Sequence, residues 1–110
     1  MIDWDRVAEL RDQIGAEDFD EVVELFLDEV MEVIEKLRND PENQDLEAEL
    51  HFLKGSALNL GFADFSEKCH AGERHAANGQ SELIELQAIL DSFDASRHLF
   101  LEELEARFAA

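Results

Sequence analysis

The chain reads as an all-α protein: an antiparallel up-down-up-down four-helix bundle with a short N-terminal lid helix. Three observations point there. Apolar residues recur every three or four positions in five separate stretches, the spacing of a single helix face. No stretch alternates apolar and polar residues over the length of a strand. The breaks between stretches are short and carry Gly, Asn, Asp or the single proline, so successive helices must fold back on one another. A length of 110 residues predicts one domain spanning 1–110. No internal repeat is visible.

The first helix is predicted to start with Asp3 as its N-cap and to end before Gly15, a residue suited to the position after a helix. Trp4, Val7, Leu10 (with Ala8) and Ile14 give it a short apolar face, as a lid over one end of a bundle needs. The second is predicted from Asp18 to Arg38. Its stripe is Phe19, Val23, Phe26, Val30, Val33 (with Ile34) and Leu37. Acids crowd its start and Lys36 and Arg38 sit at its end, matching the helix dipole. Asn39-Asp40-Pro41 then breaks it.

The third helix begins somewhere in Pro41 to Asp45 and ends at Gly61. Leu46, Leu50, Leu53, Ala57 and Leu60 draw its stripe. The fourth follows at once, from Ala63 to Asn78-Gly79, and buries Phe65, Cys69, Gly72 and Ala76. Cys69 reads as a small buried hydrophobe. As the single cysteine it has no intramolecular disulfide partner, and it fits a reducing compartment. The fifth helix takes Ser81 as N-cap and carries Leu83, Leu86, Leu90, Phe93, Phe100, Leu104 and Phe108. Arg97 falls inside that stripe, either at the bundle's end or with its head snorkelling out.

The formal net charge of −19 argues against nucleic acid, which needs a basic footprint. It also disfavours anionic membrane surfaces. No apolar run approaches the ~18 residues that span a bilayer. Met1-Ile2-Asp3-Trp4-Asp5 has no basic n-region and no apolar h-region. The expectation is a cytoplasmic monomer that binds neither nucleic acid nor membrane.

The chemistry gathers on the third helix. His51 is one residue past Leu50, roughly 100° around the axis, so it leans out of the stripe toward solvent. One turn on, the same face carries Gly55. A glycine inside a helix costs about 1 kcal/mol relative to alanine. Its use here is steric: a large group can approach the imidazole. Lys54 is three residues from His51 and a neighbour on the helix surface. These residues make a place where an anionic group can be put onto a ring nitrogen. The short turn at Gly61-Phe62 folds the fourth helix back, so positions ten residues either side of it lie level. That brings His70 and Glu73 to the height of His51. If Glu73 accepts a hydrogen bond from Nδ1–H of His51, Nε2 is left with a free lone pair pointing outward.

The run His51, Lys54, Gly55, Ser56, Ala57, Gly61 resembles the signature of histidine-containing phosphotransfer (HPt) domains, roughly His-x-x-Lys-Gly-Ser/Ala-Ala/Ser-x-x-x-Gly. The resemblance covers nearly the whole chain. It implies a four-helix bundle that carries phosphate in two-component signalling, with His51 as the phosphorylated residue. It also implies an orienting network of His70 and Glu73; the Lys54 ammonium is expected to neutralise part of the phosphoryl charge once His51 is modified. Such a network occurs in the phosphotransfer domain of the chemotaxis kinase; other members have Gln in the Glu position. The implied partners are response-regulator receiver domains, a sensor histidine kinase, or both. No cofactor of its own is implied, the Mg²⁺ being supplied by the receiver. With no Walker A run and no Gly-rich nucleotide loop, the chain is expected to be a phosphocarrier and not a kinase.

Two other functions compete. An adaptor would bind a receiver or kinase without carrying phosphate; the intact His51, Lys54 and Gly55 set argues against it. A metal-binding bundle is suggested by Glu67-x-x-His70, the di-iron spacing. Such sites need that motif on two helices and further inward carboxylates, and the sequence holds one copy.

Overall fold

A computed structural model describes residues 2–108. Five α-helices follow in order: α1 (Trp4–Ile14), α2 (Ala16–Asn39), α3 (Leu46–Leu60), α4 (Ala63–Ala77) and α5 (Leu86–Phe108). Single 3₁₀ turns at Pro41–Asn43 and Ser81–Leu83 lie in the two longer connections. No β-strand is present among the described residues. The bundle of α2 to α5 is elongated, about 48 × 22 × 21 Å with α1 included, and α1 packs across α2 and α3 at one end.

Local chemistry sets the helix limits. The Asp3 side chain caps α1 by accepting from the Arg6 amide at 3.2 Å. Asp45 does the same for α3 through Ala48 at 3.2 Å. Each satisfies a backbone donor that a first helical turn leaves unpaired. At the far end of α3, Gly61 takes a left-handed backbone, φ +77°. The Phe62 amide reaches the Ala57 carbonyl at 2.8 Å and the Gly61 amide the Leu58 carbonyl at 3.4 Å, a Schellman ending. Gly61 and Phe62 are thus the whole connection, and α4 runs back antiparallel along α3. This hairpin is the most extensive helix pairing in the molecule.

The core is apolar and aromatic. Phe62 and Phe65 flank Phe93, with centroids 6.4 and 5.3 Å away. Phe62 also meets Phe100 edge-on at 5.2 Å. Trp4 stacks on Phe100 at 5.7 Å, so the lid helix closes the aromatic column, as its short apolar face predicts. The lid is pinned to the hairpin turn as well: the Asp3 amide donates to the Gly61 carbonyl at 2.7 Å. Gly72 lets α4 approach its neighbours. A Cβ there would lie 2.8 Å from Leu50 Cδ1 and 3.2 Å from Ile89 Cδ1.

Several expectations shift in detail. α2 begins at Ala16, not Asp18, and buries Leu27 where Phe26 was expected; of the expected pair Val33 and Ile34, Ile34 is the one buried. Phe26 and Val33 are partly buried beside the core. α5 begins at Leu86, so Ser81 is not its N-cap. The break comes from Ile84, whose backbone is extended and whose Cγ2 sits 3.6 Å from where a Gly72 Cβ would be. Leu83, expected in the stripe, is exposed. Within α5 the core position falls to Ser96, which is fully buried, while Arg97 beside it is exposed. Cys69 is fully buried as expected. Burial, helped by the negative charge of Glu73, pushes its thiol up to about 12, so it carries no thiolate reactivity near neutral pH.

Candidate functional site

The α3–α4 hairpin brings together three of the residues singled out in the sequence. His51 Nδ1 lies 2.9 Å from Glu73 Oε1. Lys54 Nζ lies 2.8 Å from the other oxygen of the same carboxylate, Oε2. The imidazole side chain is 70% exposed, whereas those of Lys54 and Glu73 are 22% and 18% exposed. The ring therefore stands in solvent with a largely covered ion pair behind it. Each member has a local cause. His51 and Lys54 follow the buried Leu50 and Leu53 by one residue, and Glu73 follows the buried Gly72. All three thus lean out of their core stripes, and the tight Gly61 ending sets the two helices at matching heights.

The electrostatics fix the hydrogen-bond roles. The Lys54 ammonium, more than the His51 contact, holds the Glu73 carboxyl below its usual range even though partial burial pushes the other way. Glu73 is then a carboxylate at neutral pH and only an acceptor, so the proton shared with His51 belongs to Nδ1. In the neutral ring Nε2 is the unprotonated nitrogen, with its lone pair directed away from Glu73. A depressed carboxylate pKa contributes stability that is present above the unfolded value and lost as pH falls through the folded one. The stability difference between wild type and Glu73→Gln should therefore be flat from pH 8 to 5. It should shrink only below about 4, as read from urea midpoints across that range.

Gly55, one turn from His51, has nothing within 4 Å of an added Cβ. No neighbour inside the molecule requires a glycine there. Its backbone is ordinary helix with no positive φ, so Gly55→Ala should raise stability by about 0.5–1 kcal/mol, measured by denaturant unfolding. The clearance serves whatever approaches from outside. Exposed apolar side chains flank it: Leu58, on the face of His51 and Gly55, and Phe52. Arg6 of α1 reaches Asn59 Oδ1 at 3.3 Å, tying the lid to the end of this face.

His70 lies elsewhere. It is exposed and has no side-chain hydrogen bond or ion pair among the described residues, so it does not join the His51–Glu73–Lys54 chain. Being one past buried Cys69 turns it to solvent. Glu67 is exposed too, so the Glu67-x-x-His70 pair faces outward and not into the core, where a bundle metal site is built. No group of three or more His, Cys, Asp or Glu among the described residues is placed to hold a metal ion. His98 is exposed and pairs with Glu102 at 3.4 Å. His75 is half-buried. No described helix is long and apolar enough to cross a membrane.

A family model, that of the Hpt domain, matches residues 21–107. No curated protein and no solved structure matches the chain.

Proposed function

The chain belongs to the Hpt domain family, whose members carry phosphate on histidine in two-component signalling, and on that premise we propose that it relays phosphate through His51. It would accept a phosphoryl group from an aspartyl phosphate on a receiver domain, or from a histidine kinase, and pass it to another receiver. The observation that carries this reading is the exposed imidazole with Nδ1 held by Glu73 at 2.9 Å.

The step follows from that placement. The Nε2 lone pair attacks phosphorus in line, the N–P bond forms, and the P–O bond to the donor aspartate breaks, its electron pair leaving with the carboxylate. The ring becomes cationic, and Nδ1–H stays hydrogen-bonded to Glu73, which stabilises that charge as it develops. Phosphoryl transfer asks for positioning and charge neutralisation more than covalent help. The Mg²⁺ and the aspartate belong to the receiver; this chain brings an oriented nucleophile. The clearance over Gly55 and the exposed Phe52 and Leu58 suit the close approach of a receiver's active-site face. The carrier is proposed to work as a monomer in the cytoplasm, where the net charge of −19 keeps it in solution.

The test is phosphotransfer profiling against the receivers of the source organism. Phosphorylated receivers should lose label to this chain within minutes, and the label gained should be acid-labile and alkali-stable, as expected of phosphohistidine. Receivers that bind the chain yet never pass label in either direction would favour an adaptor instead.

A further inference from the structure

We infer that the groove between α2 and α3, beside His51, selects receivers that bring a lysine or arginine into it, and that Glu49 is the residue that binds this cation. The inference rests on the reading of His51 as acceptor and names which receivers that acceptor serves. Two carboxylate oxygens among the described residues are sealed from solvent without a hydrogen bond, Glu73 Oε2 and Glu49 Oε2. The first has the Lys54 ammonium beside it at 2.8 Å. The second has no hydrogen bond or ion pair among the described residues. The half-buried Glu49 side chain is thus a charge drawn partly out of water with no countercharge. Such an arrangement costs free energy until a partner supplies the cation.

The surroundings of Glu49 say where that cation comes from. At roughly 100° per residue around the α3 axis, Lys54 and Glu49 flank the exposed arc from opposite sides, with His51 and Gly55 between them. Lys54 faces α4. Glu49 faces α2, where it lines a groove with Phe52, Glu29, Glu32, Val33 and Lys36. Phe52 follows His51 in sequence and is 39% exposed. Leu25, 57% exposed, precedes Glu29 and Glu32 by four and seven residues and so extends the same face of α2. A receiver that sets its aspartate over His51 therefore covers this groove as well. Its apolar side chains offer area to bury, and its three carboxylates outnumber its one ammonium. None of those four charged groups is in an ion pair among the described residues, the pairs of α2 being those of Arg38. Acids that stand in open water attract a partner weakly, because salt screens them. A cation that reaches half-buried Glu49 is desolvated with it, so it acts on affinity and not only on encounter. A receiver with no cation there would seal Glu49 unpaired, which is how the groove rejects it.

The experiment measures label transfer from each phosphorylated receiver of the source organism to the full chain, with kcat and KM separated. The receivers of lowest KM should carry Lys or Arg on the surface around the phosphorylated aspartate. For these, Glu49→Gln should raise KM by about 10-fold and change kcat by less than about 2-fold, because it removes docking and not chemistry. Lys36→Gln should act with the opposite sign and lower KM by about 2-fold. Raising salt from about 0.05 to about 0.5 M should weaken wild type more than Glu49→Gln. A KM that Glu49→Gln leaves unchanged, in a variant whose thermal melt matches wild type, overturns the inference. So does a preference for receivers with no cation at that surface. A KM raised by Lys36→Gln also overturns it, since Lys36 would then be the partner of Glu49. If no receiver passes label to wild type, the carrier reading falls and the inference with it. If label also reaches His51→Gln, only the acceptor assignment falls, and the Glu49 and Lys36 variants still decide the role of the groove.

Discussion

Replacing His51 with glutamine should abolish phosphoryl acceptance and leave the fold untouched. The imidazole is 70% exposed and its one hydrogen bond is to Glu73, so little packing is lost. Glu73 keeps Lys54, and no covered charge is left alone. The change in unfolding free energy should stay within about 0.5 kcal/mol, as for other surface substitutions. Function goes entirely, because an amide nitrogen has no free lone pair with which to attack phosphorus. The measurement is label transfer from a phosphorylated receiver, with a thermal melt of the same sample. A glutamine variant that still becomes labelled would move the acceptor to another residue.

The largest effect on stability is expected at Gly61, far from the chemistry. A Cβ at this position would lie 2.7 Å from the Asp3 carbonyl oxygen and 3.0 Å from Val7 Cγ2. The first of these is backbone, fixed by the reciprocal bond from the Asp3 amide to the Gly61 carbonyl at 2.7 Å. The residue also holds φ +77°, which costs a side-chain-bearing residue about 1–2 kcal/mol by itself. Gly61→Ala must push the lid from the hairpin turn as well, for a total near 2–4 kcal/mol. Gly79→Ala is the control: φ is +71° but nothing lies within 4 Å, so only the backbone strain applies. Urea unfolding of both variants separates the two contributions. Equal losses would mean that the lid contributes nothing at Gly61.

Much of this was legible in the residues, and the failures have physical causes. Helix identities and most ends follow from Asp3, Gly15, Asn39-Asp40-Pro41 and Gly61, whose backbone or capping chemistry admits few alternatives. The phase of α2 was not legible. Phe26 and Leu27 are both apolar, as are Val33 and Ile34, and only the neighbouring helices select Leu27 and Ile34 for the deepest positions. Ser96 was missed as a core residue because a hydroxyl reads as surface. The start of α5 was misread because the apolar pattern continues through Leu83, while the need to bury Ile84 against α4 breaks the backbone there.

At the site, the partnership of His51 with Glu73 followed from counting residues either side of a two-residue turn. That counting gives height but not azimuth. Glu73 and His70 share a height and part of a face, yet only Glu73 turns inward to the imidazole. The ion pair of Lys54 with Glu73 was also not visible, because a lysine at that offset is equally free to face solvent.

The most direct test of the account is the position of the phosphate on the ring. Phosphorylated chain, examined by ³¹P and ¹⁵N NMR under alkaline conditions, should show a single phosphohistidine, on Nε2 of His51, with Nδ1 still protonated and bonded to Glu73. Phosphate on Nδ1, or on any other side chain, would contradict it.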